Sequence, residues 1–359
     1  KETKQTKQMK EMKEARREER NEKEKEKELE KEKEEGRRTI GNIRIEPLGF
    51  LLAQIPADVR IGKILIVASI MKCLRPALII SASLSHKSPF VSPMEKRTEA
   101  KMARKEFHVD DNGRPTRSDH LAIVKAYEEF AKRLSRRDAV SSIRHWCRTK
   151  FLSFATLHSM RSTISEFDGY LTSMGFLTEQ YRKNIMETHA KRPMVVLAAL
   201  SSGLWPNVAT VSRSSTTSGS SPTISVKNRA AAVHPSSINH GVSTEMLLHN
   251  TSCRSSGFLC YHDMMQTSKC YLRDTSIVGA TAVLLLCGNG SDASVVFGRQ
   301  HVIVNGWLRV RITSKAAVLI MKLRSILNTF LLARVANPTM EESMEYRELT
   351  RMMVQLLEI

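Results

Sequence analysis

The stretch that decides the fold of this chain is residues 47–90, which read PLGFLLAQIPADVRIGKILIVASIMKCLRPALIISASLSHKSPF. Its apolar residues predict two buried helices, over residues 60–73 and 76–84. We expect Pro76 to open the second helix, because the first helical turn tolerates a residue without an amide hydrogen. A turn is predicted at residues 88–90. An α-helical domain is therefore expected to begin within this stretch.

Further helices are predicted as far as residue 203. Ser118 is expected to cap one of them, because its hydroxyl can accept a hydrogen bond from a backbone amide of the first turn. Asp119 suits the positive end of the same helix. A charged amphipathic helix is predicted over residues 95–107. The other predicted helices cover the segment from Ser118 to Phe130 and residues 139–149, 153–174 and 181–203. The first half of the chain is thus predicted to be helical.

After Gly203 the pattern changes to short β-type runs between Ser, Gly and Asn turns. The predicted strands cover residues 208–211, 230–234, 257–261, 269–274, 283–286 and 307–312. Short strands at such close spacing favour a small β-barrel. Two helices are predicted to follow, at about residues 314–334 and 341–357. The first should pack on the barrel through an apolar face. That face consists of Leu319, Leu323, Ile326, Leu327 and Phe330.

The charge balance favours a polyanionic partner. The chain has 359 residues with 56 Lys and Arg against 37 Asp and Glu, a formal net charge of +19. Residues 1–38 are a Lys/Glu-rich run with a net charge of only +2, so the other +17 belongs to the rest of the chain. The run has no apolar seam for a coiled coil, and we expect a partly helical, partly disordered tail. Cationic side chains that neutralise phosphates release counterions, so nucleic acid is the expected ligand.

No membrane partner is expected from the sequence. No stretch is expected to be long and apolar enough to span a bilayer. The best candidate, residues 61–80, is interrupted by Lys63, Lys72 and Arg75, which favours buried helices. The charged first residues do not resemble a signal peptide. The six cysteines form no CxxC pair, as is typical of reduced thiols in the cytoplasm or nucleus. No metal is expected, because the spacing of the nearest candidates fits no common zinc site. These candidates are Cys253, Cys260, His262 and Cys270.

Several strings of the chain, taken in order, resemble the C-terminal region of DEAH-type (DExH) RNA helicases, in their RHA-like branch. They follow the 47–90 stretch, and they are SDHLAIVKAYEEF at 118–130, WCRTKFLSFATL at 146–157, SSGLWPNVATV at 201–211, VHPSSIN at 233–239, TSKCYLRDTSIV at 267–278 and NGWLRVRITSKAAVLIMKLRSIL at 305–327. The resemblance implies a multidomain α-then-β fold, in which a helical ratchet bundle precedes a small OB-type β-barrel and a C-terminal helix.

The resemblance also implies domain boundaries. In order, we expect a charged tail (1–38), a remnant of a winged helix or junction (39–75), a helical ratchet, or helicase-associated, domain (76–192), an OB-fold (193–313) and C-terminal helices (314–359).

The catalytic motor of the resembled family does not occur in this sequence. There is no GxxxxGK[ST] loop and no Asp-Glu-x-His string. ATP and magnesium are therefore implied only for the RecA domains of an intact helicase, and no cofactor is expected here. A hydrolytic triad could be assembled on paper from His86, His120 or His234, but no GxSxG context supports it. Independent enzyme activity is not expected.

The sequence offers three candidate patches for RNA. The first is a basic run containing Arg144, Arg148 and Lys150; its alternative is a solvated face with Trp146 in the core. The second is His234 with Ser236 and Ser237, whose hydroxyls suit phosphate but could equally cap a turn. The third is a strand face on which alternate residues combine charge, a ring and a hydroxyl. It consists of Lys269, Tyr271, Arg273 and Thr275.

For the third patch, a surface pairing of Arg273 with Asp274 is the alternative. Ser85, Lys87 and Ser88 in the KSPF turn are weaker RNA candidates, and a structural joint between helices is the alternative for them.

The function implied by the resemblance is that of an RNA-binding module that grips single-stranded RNA while RecA domains hydrolyse ATP. The expected partners are single-stranded or structured RNA and the RecA domains of the intact protein. Two alternatives remain open at this point: an interaction scaffold for a ribonucleoprotein or ribosomal partner, and a truncated, non-functional fragment.

Overall fold

The computed structural model describes residues 39–40, 43–110, 112–184, 187–213, 222–248, 256–288, 293–296, 300–340 and 343–358. The tail predicted for residues 1–38 lies outside the described residues, as does Cys253. The chain divides into two compact units at Phe50. The first contains a short antiparallel pair, β1 (Thr39–Ile40) with β2 (Ile43–Arg44). Helix α1 (Pro47–Leu52) begins in the first unit, and all later elements belong to the second.

The helical part of the second unit follows the expected order. Its helices are α2 (Val59–Ile70), α3 (Leu74–Leu84), α4 (Arg97–Lys105), α5 (Asp119–Ser135), α6 (Val140–Thr149), α7 (Phe154–Ser173), α8 (Glu179–Asn184) and α9 (Pro193–Leu204). The buried α2–α3 pair is confirmed, and the Asp58 side chain caps α2 by accepting from the Arg60 amide at 2.8 Å. Helix α3 begins two residues before Pro76, so Pro76 sits inside its first turn.

The single helix predicted over residues 181–203 is wrong. Two helices occupy that region, and Pro193 begins the second of them, α9. Helix α9 packs directly on α2 at Gly203, where a Cβ atom would lie 2.3 Å from Ile64 Cγ1 and 2.7 Å from the Arg60 carbonyl oxygen. Because the contact involves backbone, only glycine permits this approach of the two helices.

The β-part is a closed five-stranded barrel. Its strands are β3 (Val208–Arg213), β4 (Pro222–Val226), β5 (Arg229–Val233), β6 (Ser256–Gln266) and β7 (Cys270–Val278), in the order β3-β4-β5-β7-β6. Helix α10 (Thr244–Leu248) lies between β5 and β6 in the chain. Neighbouring strands are antiparallel except β5 and β7, which close the barrel in parallel at Ala232–Tyr271 and Val233–Leu272. Apolar side chains such as Val211, Leu259 and Leu272 fill the interior.

Two predicted barrel strands are corrected by the structure. Residues 283–286 belong to a buried helix, α11 (Ala280–Leu286), because a short, wholly apolar run does not distinguish a helix from a strand. Residues 307–312 contain a strand, β10 (Leu308–Arg311), but it lies outside the barrel. It pairs in a separate sheet with β9 (His301–Val304), which pairs in turn with β8 (Ala293–Val296). Strands β4, β8 and β9 were not anticipated.

Two helices, α12 (Ser314–Ala336) and α13 (Met344–Glu358), follow this sheet. They are joined by stacking of Phe330 on Tyr346, with ring centroids 4.5 Å apart. The apolar face predicted for α12 is partly wrong. Leu327 and Phe330 are buried, whereas Leu319 is 68% exposed and Ile326 49% exposed. Helix α12 packs on α11 and on the β8–β9 sheet instead of the barrel.

Helix α12 also corrects the survey of apolar stretches. By length and composition it could cross a membrane, so the expectation that no stretch is long and apolar enough to do so is wrong. Length and composition alone do not separate such a span from a helix that packs on protein, and α12 carries buried cations as well as buried apolar residues. Arg324, for example, donates from Nη1 to the Leu284 carbonyl oxygen at 2.6 Å.

Candidate nucleic-acid interface

A groove of about 560 Å³ lies between helix α4, the segment around residues 88–92, the turn at residues 234–238 and strand β7. Four basic residues line it: Arg97, Lys101, Arg104 and Arg273. Asp274 is the acidic residue of the lining, and Phe90 and Phe151 contribute aromatic rings. Hereafter this is called the basic groove. Cations and flat rings along one channel are the features that bind the phosphates and bases of a single strand.

The 234–238 turn forms one wall of the basic groove, and its own polar groups fix its shape. The His234 ring nitrogen Nδ1 lies 2.8 Å from Ser236 Oγ and accepts from the Ser236 amide at 3.2 Å. The Ser237 amide donates to the His234 carbonyl oxygen at 2.9 Å. Ser236 faces solvent, whereas Ser237 is buried. The turn therefore presents one solvent-exposed hydroxyl, that of Ser236, to the groove instead of the predicted adjacent pair.

Asp119 joins three walls of the groove from below. It is fully buried, and its Oδ1 accepts from Arg104 Nη2 and from the Ile238 amide, each at 3.0 Å. Its Oδ2 accepts from the Thr275 amide at 2.9 Å. Arg104 in turn donates from Nη1 to the Ser236 carbonyl oxygen at 2.5 Å. One carboxylate thus ties helix α4, the 234–238 turn and strand β7 together.

The start of helix α5 makes a second connection to the barrel beside Asp119. Ser118, whose Oγ caps α5 by accepting from the Leu121 amide at 3.0 Å, forms an isolated β-bridge with Ser276. The two hydroxyl oxygens lie 2.6 Å apart, and His120 Nδ1 lies 2.7 Å from Ser276 Oγ. The cap predicted at Ser118 is confirmed, but its link to the barrel was not foreseen.

Burial governs the protonation of the groups under the groove. It lowers the pKa of His108 to about 4, against the opposing effect of Asp119, whose Oδ1 lies 4.0 Å from His108 Nε2. Burial likewise lowers the pKa of His120 to about 4. The pKa of Asp274 is raised by burial and by the nearby Asp119 carboxylate. Both histidines are therefore neutral at physiological pH, and the positive charge of this region belongs to the arginines and Lys101.

The strand face predicted from residues 269–275 is only partly present. Arg273 is exposed and lines the basic groove, while Tyr271 lies half-buried with its ring edge-on to His234 at 5.9 Å. Lys269 lines a different, larger cavity of about 1100 Å³ together with Lys227 and Arg229. This second cavity lies at the barrel end formed by the β4–β5 turn and the β6–β7 hairpin.

Thr275 does not share that exposed face, and this part of the prediction is wrong. Its side chain is fully buried, with Oγ1 at 2.8 Å from Ser237 Oγ and accepting from Asn239 Nδ2 at 2.9 Å. The cause is Asp274, whose φ of 48° is left-handed and interrupts the alternation of a regular strand. Ser237, Asn239 and Thr275 thus form a buried polar cluster behind the groove wall.

The basic run on α6 lies outside the lining of the groove. The Arg144 guanidinium lies 5.1 Å from the Phe154 ring centroid, and Lys150 forms an ion pair with Glu106 at 2.5 Å. Arg148 is exposed. Trp146 is buried, as the alternative reading had it, and the Arg133 guanidinium lies 4.6 Å from its ring centroid. RNA contact by Arg144, Arg148 and Lys150 stays a prediction.

The KSPF turn contributes Ser88 to the groove lining. Ser88 Oγ accepts from the Phe90 amide at 3.3 Å. Ser85 donates to the Ser81 carbonyl oxygen at 3.1 Å, which makes it part of the end of α3, and Lys87 is exposed. The turn is therefore a structural joint that also presents one side chain to the groove.

Sequence reasoning missed the cations of helix α4. Arg97, Lys101 and Arg104 recur at intervals of four and three residues, which places them on one side of a helix. The segment was identified as a charged amphipathic helix, but charge alone gave no reason to orient it toward the 234–238 turn. The signal that could have found it is this basic spacing directly after the KSPF turn.

Three of the four zinc candidates, Cys260, His262 and Cys270, lie in the described residues, and these three form no group that could hold a metal ion. Cys260 is buried in the barrel, and Cys253 lies outside the described residues. Within the described ranges, no group of three or more His, Cys, Asp or Glu residues is placed to hold a metal ion.

Three family profiles match the chain, in the order in which its structural parts occur. The helicase associated domain (HA2), ratchet-like, matches residues 58–123; the oligonucleotide/oligosaccharide-binding (OB)-fold matches residues 196–290; and the C-terminal domain in RNA helicases matches residues 300–358. The second match spans the five-stranded barrel and α11, and the third spans β9, β10 and the two C-terminal helices.

Whole-sequence comparison points to the same family. The chain is 32% identical over 83% of its length to the protein DHX57 of Mus musculus, named as an ATP-dependent RNA helicase. It is 31% identical over 82% to the ATP-dependent DNA/RNA helicase DHX36 of Homo sapiens, and 28% identical over 89% to the DExH-box ATP-dependent RNA helicase DExH1 of Arabidopsis thaliana. The chain spans 23%, 28% and 30% of these relatives, respectively. With its ratchet helices followed by an OB barrel, this chain corresponds to the C-terminal region of the DExH/DEAH family of RNA helicases.

Proposed function

We propose that this chain is the RNA-binding C-terminal module of an ATP-dependent DEAH-type helicase, and that the basic groove holds the backbone of single-stranded RNA. The observation that carries the proposal is the convergence of Arg97, Lys101 and Arg273 with the exposed Ser236 hydroxyl in one channel. These groups come from α4, β7 and the 234–238 turn. Phosphate oxygens accept hydrogen bonds from such donors irrespective of base sequence.

Within this proposal each wall has its own part. Arg97 and Lys101 neutralise phosphates from the helical side, and Arg273 does so from the barrel side. Arg104 is held by Asp119 and Ser236, and its guanidinium lies 4.6 Å from the Phe90 ring centroid, so it shapes the groove as well as charging it. ATP hydrolysis belongs to RecA domains of the intact helicase, which act on the RNA that this module grips.

The test is fluorescence anisotropy with labelled single-stranded RNA across a salt series, with ATP hydrolysis measured alongside. Changing both Arg97 and Lys101 to Gln removes two cations from the groove. We expect binding to weaken about tenfold, and the slope of log K against log salt to become shallower by about 1.4, since each single-strand phosphate contact contributes about 0.7. No hydrolysis is expected from these residues.

The matched control is the double change Lys315→Gln with Lys322→Gln, two exposed cations of α12 that belong to none of the candidate RNA patches. It alters the net charge equally. Equal losses in the two double variants would show that charge alone drives binding and that the groove has no special part. Binding of wild-type protein that did not respond to salt would contradict the proposal altogether.

One observation favours a second candidate, an interaction scaffold for a ribonucleoprotein partner. Helix α12 exposes apolar side chains on one side, among them Val318, Leu319 and Leu332. Such a surface suits a protein better than a polyanion. If the groove double variant left RNA binding unchanged in well-folded protein, the scaffold would become the better account.

A further inference from the structure

Two Ser-Pro dipeptides stand at the mouth of the basic groove, in the string SPFVSP at residues 88–93. Both serines, Ser88 and Ser92, line the groove. Nothing in the RNA-binding proposal uses Ser92. The two dipeptides differ in how firmly the fold holds them, and this difference decides which serine another enzyme can reach.

The first dipeptide is held in the fold. Pro89 is buried, and its carbonyl oxygen accepts from the Ser153 amide at 2.8 Å. After Pro89, the Val91 amide donates to the Phe151 carbonyl oxygen at 2.8 Å, and Phe90 forms an isolated antiparallel β-bridge with Leu152. A peptide anchored in this way cannot enter the active-site cleft of another enzyme without local unfolding.

The second dipeptide is accessible. Every residue from 91 to 99 is exposed, and Met94, next to Pro93, is 81% exposed. Ser92 lies in irregular backbone before the short 3-10 turn Met94–Lys96. Exposed, irregular segments of this kind are where enzymes that modify side chains gain access.

The charges around Ser92 determine what a modification would do. Arg97 and Lys101 line the same groove and follow Ser92 within nine residues, with Arg273 across from them. Glu95 and Glu99 are the acidic residues of the same segment. A phosphoserine carries about 1.5 to 2 negative charges at neutral pH and three strong acceptor oxygens. It would therefore compete for the cations assigned to the RNA backbone.

We propose that Ser92 is a phosphorylation site and that its phosphate closes the basic groove to RNA by engaging Arg97 and Lys101. The closing effect rests on the proposed function, whereas the modification itself does not. In the transfer step, a protein kinase moves the γ-phosphoryl group of ATP to Ser92 Oγ. The Oγ–P bond forms as the bond from the γ-phosphorus to the bridging oxygen breaks, the hydroxyl proton passes to a kinase base, and ADP leaves.

The first arm of the test treats the whole purified chain with ATP, magnesium and a kinase that modifies Ser-Pro sequences. Peptide mass spectrometry then locates the phosphate. The result expected is phosphate on Ser92 and none on Ser88, with Ser92→Ala abolishing it. Phosphate on Ser88 instead, or none on the folded chain when an isolated peptide of residues 86–100 is modified, would overturn the assignment.

The second arm measures RNA anisotropy before and after kinase treatment. Binding by wild-type protein should weaken on the order of tenfold, since about two charges are added to the groove, and binding by Ser92→Ala should not change. Ser92→Asp should weaken binding in the same direction, while Ser325→Asp, an equal charge change on an exposed position of α12, should not.

The arms separate the two proposals. If phosphate on Ser92 left RNA binding unchanged while the Arg97→Gln, Lys101→Gln variant weakened it, the closing of the groove would be wrong and the proposed function would stand. If untreated wild-type protein bound no RNA at any salt concentration, the proposed function would fail and the closing effect with it. The mass-spectrometric result would still decide whether Ser92 is modified.

Discussion

Arg104 and Asp119 form an ion pair beneath the basic groove, with Arg104 Nη2 3.0 Å from Asp119 Oδ1. The carboxylate is wholly inaccessible to solvent and the arginine side chain is 16% exposed. A buried carboxylate needs partners, because taking its charge out of water costs several kcal/mol. Asp119 receives them from a cation and two backbone amides, and these partners belong to three different parts of the groove.

Replacing Arg104 with Gln should destabilise the protein, because Asp119 would keep its burial and lose its cation. We expect the free energy of unfolding to fall by about 3 kcal/mol. Urea denaturation measures this loss. The control is Arg97→Gln, which removes an exposed arginine from the same helix and should change the free energy by no more than about 0.5 kcal/mol. Similar losses in the two variants would contradict a structural role for the ion pair.

Thr275→Val should show whether the Thr275 hydroxyl stabilises the fold or contacts RNA. It removes the hydroxyl that lies against Ser237 and Asn239 in the cluster behind the groove wall, and we expect a loss of about 1–2 kcal/mol in the free energy of unfolding. RNA affinity should stay at the wild-type level, because Thr275 is buried. Anisotropy alongside urea denaturation checks both outcomes. A variant of normal stability with weakened RNA binding would restore the original strand-face prediction.

Gly203→Ala should loosen the packing of α9 on α2. Its new methyl group would meet the Arg60 carbonyl oxygen and the Ile64 amide nitrogen at 2.7 and 2.8 Å, and backbone atoms cannot move aside cheaply. We expect a loss of about 2 kcal/mol in the free energy of unfolding.

The matched control for this change is Gly169→Ala on helix α7, where a Cβ atom would meet nothing within 4 Å. It should stabilise the protein by about 0.5–1 kcal/mol, because alanine favours a helix over glycine. Thermal or urea unfolding of the pair gives opposite signs if the close approach of α9 and α2 is real.

Stability should fall as the medium becomes acidic, because His108 and His120 are held neutral by burial. Their folded pKa values, about 4, lie below the unfolded value of 6.5, so the unfolded chain binds more protons between these limits. Their stabilising effect is complete above pH 6.5 and is lost as the pH falls toward about 4. Each histidine should contribute a slope of about 1.4 kcal/mol per pH unit in that window.

Urea denaturation at about pH 7 and about pH 5 tests this in wild-type protein and in a His108→Gln, His120→Gln variant. The variant should lose less stability on acidification than wild-type protein does. His145→Gln, which removes an exposed imidazole, is the control. An unchanged pH dependence in the double variant would mean that other groups dominate acid unfolding.

Much of the fold could be predicted from local pattern. The α2–α3 pair shows apolar helical spacing, and four barrel strands stand out between turn residues. Helix α11 could not be predicted, because Ala280–Leu286 is apolar except for Thr281 and shows no period that separates a helix from a strand. The place of β10 in a separate sheet depends on pairing with β9, which a single strand's residues do not encode.

The candidate site was predictable only in pieces. His234, Ser236, Ser88 and Arg273 were selected from separate strings, and the basic groove brings them together. The cations of α4 were missed because helical spacing shows which residues share a face of the helix but not which other element that face contacts. Thr275 was assigned to the wrong face of the strand, because the left-handed backbone at Asp274 reverses which residues point outward. A positive φ is uncommon at residues other than glycine, so the sequence did not indicate it.

The β-bridge between Ser118 and Ser276 limits where the barrel can be excised from the rest of the chain. The Ile277 amide also donates to the Arg117 carbonyl oxygen, at 3.2 Å, so the start of α5 forms part of the hydrogen-bonding edge of β7. A barrel excised at its own first strand would leave that edge open. A chimera in which this barrel replaces that of another helicase must therefore include residues 104–120 as well. These residues lie some ninety positions before the first barrel strand in the chain.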